Sequence, residues 1–354
     1  MSGNGVRGRA VEKVMAGMRI DEAAALSLFG LPLVELGALA HRARLRHHPE
    51  ALVTYVVDRN INYSNICVSR CRFCAFWRDE SAPDAYVLTK DELASKIEET
   101  LALGGTQILL QGGLHPKLPL AWYEDMLRFI KGWPIHVHGF SPPEIVYFAR
   151  LAGLSVEQTI SRLRSAGLDS IPGGGAEILV ERMRESRSPG KCSASEWLGV
   201  MAAAHGLGLR TTATMMFGEG ETLAERVEHL RRVRALQDET RGFTAFIPWP
   251  FQPGNTALGG NEATAVDYLR TLAVARLYLD NFANLQASWV TQGPKVGQVA
   301  LFFGANDFGS TMIEENVVAA AGVSHSMSRE EIIRLIEDAG YQARQRTQAY
   351  ELIG

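Results

Sequence analysis

The feature that most constrains this chain is an alternation. Short β-branched or apolar runs bounded by Gly or Pro, at 52–57, 107–111, 135–138, 168–171, 209–217, 243–247, 284–289 and 301–304, are separated by amphipathic stretches of helical period. The helix candidates lie at 90–103, 121–131, 143–151, 156–166, 194–205, 223–237, 264–279 and 295–300. Strands that never follow one another directly need crossover connections, and helical crossovers give a parallel sheet. Eight such units are the number that closes a (β/α)8 TIM-type barrel, and a doubly wound open sheet is the other solution. With 354 residues, 46% of them hydrophobic, the chain can bury a core of that size. Residues 1–50 read as an N-terminal helical extension, with Asp21 as a cap and Pro32 at the start of a helix over 33–46. The barrel takes 51–310. Residues 311–354 form a C-terminal extension with a capping box from Ser328 to Glu331 and a short final strand.

Catalytic groups of a parallel barrel sit on the loops that leave the C-terminal ends of its strands. Chemically suggestive residues fall there. Cys67 to Cys74 follow strand one, Gln111-Gly112-Gly113 strand two and His138 to Ser141 strand three. Gly173 to Glu177 follow strand four, Gly218 to Glu221 strand five, Pro248 to Gln252 strand six, Trp289 to Gln292 strand seven, and Asn306-Asp307 strand eight.

Three of the four cysteines, Cys67, Cys71 and Cys74, make a C-x3-C-x2-C run, and Cys192 stands apart. Thiolates spaced in this way can wrap one corner of a cubane 4Fe–4S cluster, whose closed form wants a fourth cysteine. A structural zinc completed by Cys192 or a His is the other reading, although zinc sites usually pair two C-x2-C knuckles. The net charge of −3 and the lack of any run of five like charges give no footprint for nucleic acid. No apolar stretch approaches a membrane span and the N-terminus has no secretory pattern, so a soluble cytoplasmic protein is expected.

The motif Cys67-x3-Cys71-x-Phe73-Cys74 after a first strand resembles the signature of the radical S-adenosylmethionine (SAM) superfamily. The barrel-like alternation covers that family's catalytic core. The resemblance implies a 4Fe–4S cluster on Cys67, Cys71 and Cys74, with SAM on the iron that lacks a thiolate. It implies cofactor contacts from Phe73, Gln111, Gly112, Gly113, Glu177, Gly218 and Glu221. Asn60 to Asn65, and Gly304 to Asp307 with Glu314-Glu315, look like the group containing the aminofutalosine synthases, the deazaflavin-cofactor synthase subunits and the cyclic dehypoxanthinyl futalosine synthases. Segments 139–145, 171–177, 246–253 and 286–293 look most like the last of these, from the futalosine route to menaquinone. Two departures stand out: Glu219 lies where relatives often carry His, and Trp77 where a smaller aromatic is expected.

The reaction implied is an intramolecular cyclisation of dehypoxanthine futalosine. A deoxyadenosyl radical takes the ribose C4′ hydrogen, and the carbon radical closes on the benzoate ring with loss of an electron and a proton. An external donor of flavodoxin or ferredoxin type is implied, with no nucleic acid or membrane partner. Candidate catalytic groups are His138, Glu177 and Asp307. His138 can accept a proton near neutral pH, and a merely hydrogen-bonded barrel histidine is its plainer role. Candidate substrate contacts are Tyr63, Ser141, Trp249, Trp289, Asn306 and Asp307; Asp307 can equally cap the turn that follows it. Arg78 and Lys295 can each pair with a benzoate. Aminofutalosine synthase is the sister activity, and an iron–sulfur or zinc scaffold is the non-enzyme reading.

Overall fold

The apolar run after residue 51 and the polar run behind it become two strands with different partners. β1 (Leu52–Val56) and β2 (Asp58–Asn62) are separated by Val57 alone. The computed structural model describes residues 3–323 and 325–353. β2 starts a seven-stranded parallel sheet that continues in chain order through β3 (Gln107–Gln111), β4 (His136–Gly139), β5 (Ser170–Ile171), β6 (Arg210–Phe217), β7 (Phe243–Pro250) and β8 (Asn284–Leu285). The remaining strands are β9 (Asp307–Ser310), β10 (Gln342–Arg346) and β11 (Leu352–Ile353), in a second sheet ordered β11-β10-β1-β9.

The two sheets complete one ring. Gln286 bridges Asp307 in parallel, with Ala287 N–H donating to the Asp307 carbonyl at 2.9 Å and Asn306 N–H to that of Leu285 at 3.1 Å. On its other side β9 pairs with β1, and the chain beyond it keeps contact with the start of β2 through Ile313 N–H to the Asp58 carbonyl at 3.1 Å. The barrel read from the sequence is therefore present, with β1 and β2 together filling the first position.

Two strands differ from expectation. Residues 301–304 are a turn, and the eighth stave is β9, a few residues later. In the apolar run Leu301-Phe302-Phe303, Phe303 packs on the N-terminal helices: a Cβ on Gly37 would stand 2.7 Å from its ring. The expected strand over 284–289 stops at Leu285, and Trp289 opens the helix Trp289–Ala300, kinked at Gly293 (φ 78°) before Pro294. Conversely β7 runs on through Pro250. Its prolines are tolerated because β8 pairs only with Ala245 and Phe246, leaving the upper half of β7 without a partner on that side.

Period-two alternation sets inside and outside. Ile108, Leu110, Ala213 and Met215 are fully buried in the apolar layer, where helices cover the sheet. Their neighbours Gln107, Leu109, Gln111, Thr212 and Thr214 face an internal cavity. The N-terminal helices are Gly3–Met15, Glu22–Leu28 and Leu33–His47; Asp21 accepts from Ala24 N–H at 2.8 Å, and Pro32 stands at the N-cap of the third, one place before the first helical position expected of it. The Ser328–Glu331 capping box opens the helix Arg329–Asp338. No helix among the described residues is long and apolar enough to cross a membrane.

Candidate active site

The cysteine loop leaves β2 and is fastened from several sides. Cys67 N–H donates to the Arg78 carbonyl at 3.1 Å, Val68 N–H to Leu114 at 3.0 Å and Arg72 N–H to Arg187 at 3.0 Å. The Arg78 side chain donates to the carbonyls of Ala75, Phe76 and Trp77 and to Asp84 at 2.6 Å, so it shapes this loop and is not free for a substrate carboxylate. All four cysteines are free thiols. Burial pushes the Cys71 thiol up to about 12 and raises that of Cys74, with Lys191 opposing both shifts. Burial of this kind favours thiolates only when cations are bound to them. Among the described residues, no three His, Cys, Asp or Glu side chains form a site for a single metal ion. The donor set suits a cubane instead, where each thiolate takes a different iron. Cys192 is buried beside Arg184, which donates to its carbonyl at 2.8 Å.

The loop after β3 is pressed against the cysteines. Gly113 N–H donates to the Ser64 carbonyl at 2.8 Å, and a Cβ here would overlap the Ile66 carbonyl and stand 2.9 Å from Cys67 Cβ. Gly113→Ala is therefore expected to displace the Cys67 segment and lower iron incorporation severalfold, measured as iron per chain after anaerobic reconstitution. Gly112 is equally confined, since its Cβ would meet the Tyr63 ring at 2.5 Å.

Glu144 ties this loop to its neighbours. Wholly buried, it accepts from Tyr63 Oη at 2.7 Å, Gly112 N–H at 3.1 Å, Ser141 N–H at 2.7 Å and Ser141 Oγ at 2.5 Å. Tyr63 and Ser141 thus support the Gly112 loop and do not line the cavity. Glu144→Gln puts a donor where acceptors are needed, and about 1–3 kcal/mol of stability is expected to be lost, read from denaturant unfolding.

On the β5 side, Glu177 (φ 42°) accepts from Lys191 at 3.0 Å and lies 3.5 Å from Arg184. The Lys191 ammonium stands 4.9 Å over the Phe73 ring, linking Glu177 to the cysteine loop. After β6, the Glu221 carboxylate accepts from Gly218 N–H at 2.8 Å, Glu219 N–H at 2.9 Å and Arg226 at 2.7 Å. It holds its own loop in shape. Glu219 is buried with Oε1 unpartnered, and burial, with Glu177 and Glu221 nearby, raises its pKa well above the usual range.

Below these loops the barrel encloses a cavity of about 260 Å³. Of the predicted site residues, Gln111, His138, Trp249 and Trp289 line it. His138 Nδ1 is 2.7 Å from Ser170 Oγ, and Nε2 is 3.1 Å from the Gln348 amide nitrogen. Burial, with His136 and Arg346 nearby, holds its pKa well below 6.5, so the ring is neutral. Asn306 and Asp307 lie behind the lining. Asn306 accepts from Arg276 at 2.6 Å, and Asp307 is held by Arg346, by Thr54 Oγ1 at 2.5 Å and by Gly309 N–H at 2.9 Å. The turn-capping role anticipated for Asp307 is realised, and its carboxylate has no oxygen left bare. Lys295 is exposed and away from the cavity. Missed by the sequence reading were Asp58, Gln107, Arg346, Gln348 and Tyr350, all in the lining. The available signal was polar residues alternating into strands at 58–62 and 107–111.

Comparison with known proteins bears directly on this geometry. The radical SAM superfamily model matches residues 61–233, which carry the cysteine loop and the β3 to β6 loops. The model of the CofH/MqnC C-terminal region matches 240–353. Cyclic dehypoxanthine futalosine synthase of Halalkalibacterium halodurans is 47% identical over 97% of this chain and 94% of its own length. The chain belongs to the radical SAM superfamily. Another relative, 5-amino-6-(D-ribitylamino)uracil–L-tyrosine 4-hydroxyphenyl transferase of Methanopyrus kandleri, is 43% identical over 94% of this chain and 93% of its own. Among solved structures, the FeFe-hydrogenase maturase HydG of Carboxydothermus hydrogenoformans covers 98% of this chain and 83% of its own with a TM-score of 0.76 at 15% identity, a likeness of fold. The three-cysteine loop of this chain follows β2, whose Asn60 lines the barrel cavity.

Proposed function

We propose that this radical SAM protein converts dehypoxanthine futalosine to its cyclic product, joining the ribose C4′ to the benzoate ring, in the futalosine route to menaquinone. The observation that carries this reading is the 47% identity to the Halalkalibacterium synthase across 97% of the chain. Cys67, Cys71 and Cys74 would hold a 4Fe–4S cluster, and the confined Gly112-Gly113 loop beside them would receive the methionine end of SAM. When bound, this pair supplies a 5′-deoxyadenosyl radical in exchange for one electron. The reading takes a flavodoxin- or ferredoxin-type donor for that electron and a cytoplasmic setting.

The chain's own residues then hold the substrate and keep solvent away. Trp249 and Trp289 offer ring faces to the benzoate; Trp289 is fixed by its Nε1–H to the Ser310 carbonyl at 3.0 Å. Of the groups first considered catalytic, His138 alone faces the cavity. Its neutral ring keeps one basic nitrogen, Nε2, and takes the proton lost as the arene recovers aromaticity only when the Gln348 amide gives way and against the cost of burial. Glu177 acts from the cysteine side through Lys191, and Asp307 from behind the lining through Arg346.

An anaerobic assay tests the reading. Reconstituted protein with SAM, reductant and dehypoxanthine futalosine is expected to give 5′-deoxyadenosine and a product lighter by two hydrogens. Deoxyadenosine without that product sinks the cyclase assignment. Coupling of tyrosine to 5-amino-6-(D-ribitylamino)uracil would move the chain to the activity named for the Methanopyrus relative.

A further inference from the structure

Among the described residues, two polar atoms in the cavity wall have no partner: Gln107 Oε1 and Tyr350 Oη are both buried and unbonded, and both residues line the cavity. Gln107 is 2% exposed. Its amide nitrogen is already committed, donating to Asp58 Oδ2 at 2.7 Å, so the oxygen is the free end. Asp58 pairs with Gln107 across β2 and β3, and its other oxygen accepts from Ser310 Oγ. This level lies four residues, about 13 Å, below Asn62 and Gln111 at the loop end of the same strands. Tyr350 reaches the cavity from the C-terminal tail, its ring 4.0 Å from the Arg346 guanidinium. A buried donor or acceptor without a partner costs stability, and beside a cavity a ligand hydroxyl or an ordered water can supply the missing partner.

Charge narrows the ligand. Among the described residues, the ionisable side chains lining the cavity are Asp58, Glu315, Arg346 and His138, besides the Tyr350 phenol. Arg346, the one cation among them, is paired through two nitrogens with Asp307. Glu315 is spent on the backbone N–H groups of Val317, Val318 and Ala319 at 3.0, 2.6 and 3.1 Å. His138 is neutral. A ligand carboxylate at the Asp58 level would meet the Asp58 carboxyl group and one cation already answered by Asp307. A group that both donates and accepts meets Gln107 Oε1 as acceptor and Tyr350 Oη as donor, and it carries no charge.

We propose that Gln107 and Tyr350, with Asp58 orienting the Gln107 amide, form a hydroxyl-binding subsite at the cavity floor that holds the sugar end of the substrate. The sugar's identity rests on the futalosine reading; the hydroxyl chemistry does not. With the sugar held from below, the benzoate lies toward Trp249 and Trp289.

The test uses the full chain with its cluster reconstituted and two probes, 1,4-anhydro-D-ribitol as the bare sugar ring and dehypoxanthine futalosine itself. Tyr350→Phe removes a hydroxyl that bonds to nothing in the protein. It is expected to leave the melting temperature unchanged or higher while weakening both probes about tenfold, the worth of one neutral hydrogen bond. Asp58→Asn is expected to weaken them further. Substrate analogues lacking the 2′- or 3′-hydroxyl are expected to lose affinity for the parent and little more for the variants. Unchanged affinities in Tyr350→Phe overturn the subsite, as does a parent protein that does not bind the sugar ring. A carboxylate-free analogue whose loss of affinity disappears in the variants also overturns it, because the floor then holds the benzoate. A parent that binds the sugar ring in a Tyr350-dependent way but never cyclises dehypoxanthine futalosine keeps the subsite and fails the functional reading. Cyclisation with floor variants that bind normally does the reverse.

Discussion

Single replacements of Cys67, Cys71 or Cys74 by alanine are expected to abolish cluster assembly and to cut deoxyadenosine formation by at least about 10³-fold, as loss of an essential unit does. Each thiolate in such a set takes its own iron, so no neighbour can cover for a lost one. Burial sharpens the effect. The Cys71 thiol, pushed up to about 12 by burial, is neutral unless iron is bound, so a cluster that lacks one neighbour's thiolate is not rescued by it. Cys192→Ala is the control, since that thiol is directed at Arg184 at 3.6 Å and not at the cysteine loop. Iron and sulfide content, together with the electron paramagnetic resonance of the reduced protein, read the result. Iron retained by Cys71→Ala, or lost from Cys192→Ala, would refute the ligand assignment.

The cysteine loop was legible in the sequence because its chemistry is local, with three ligands inside eight residues. The barrel was legible because parallel strands need crossovers, and crossover helices carry their own period. What failed had a physical cause each time. The apolar run 301–304 satisfies a strand pattern, yet Phe303 serves the packing of the third N-terminal helix at Gly37 and Phe302 is exposed. The true stave, Asp307-Phe308-Gly309-Ser310, is too polar to be read as one because its residues serve a hydrogen-bond network and a cavity wall. The same inversion hid Asp58 and Gln107. In a barrel that holds a ligand the inner face of a strand is polar, so the hydrophobic signal marks only the outer face. Arg346, Gln348 and Tyr350 were hidden for another reason: they reach the cavity through the parallel pairing of β10 with β1, a contact almost 300 residues long in sequence that no local pattern records.

That long-range contact carries the largest stability effect expected outside the cysteines. Arg346→Met leaves the Asp307 carboxylate buried and without its cation, and breaking a buried pair from one side costs about 3–5 kcal/mol. The two side chains are 3% and 0% exposed, so solvent does not soften the loss. For a chain of this size the melting temperature is expected to fall by roughly 4–7 °C. Thr54 Oγ1 and Gly309 N–H remain on Asp307, but neither carries charge. The double replacement Arg346→Met with Asp307→Leu is expected to recover more than half of the loss, because apolar residues of similar volume satisfy a buried site that a lone charge cannot. A double variant no more stable than the single would place the cost in lost packing. The two measurements also separate the ends of the barrel. Gln348 and Tyr350 follow Arg346 by two and four residues, so a loosened tail weakens the cavity floor and substrate affinity. The cysteine loop hangs from the opposite end of β2, fastened by Arg78, Leu114 and Arg187, and iron content is expected to survive a substitution that costs the enzyme its grip on substrate.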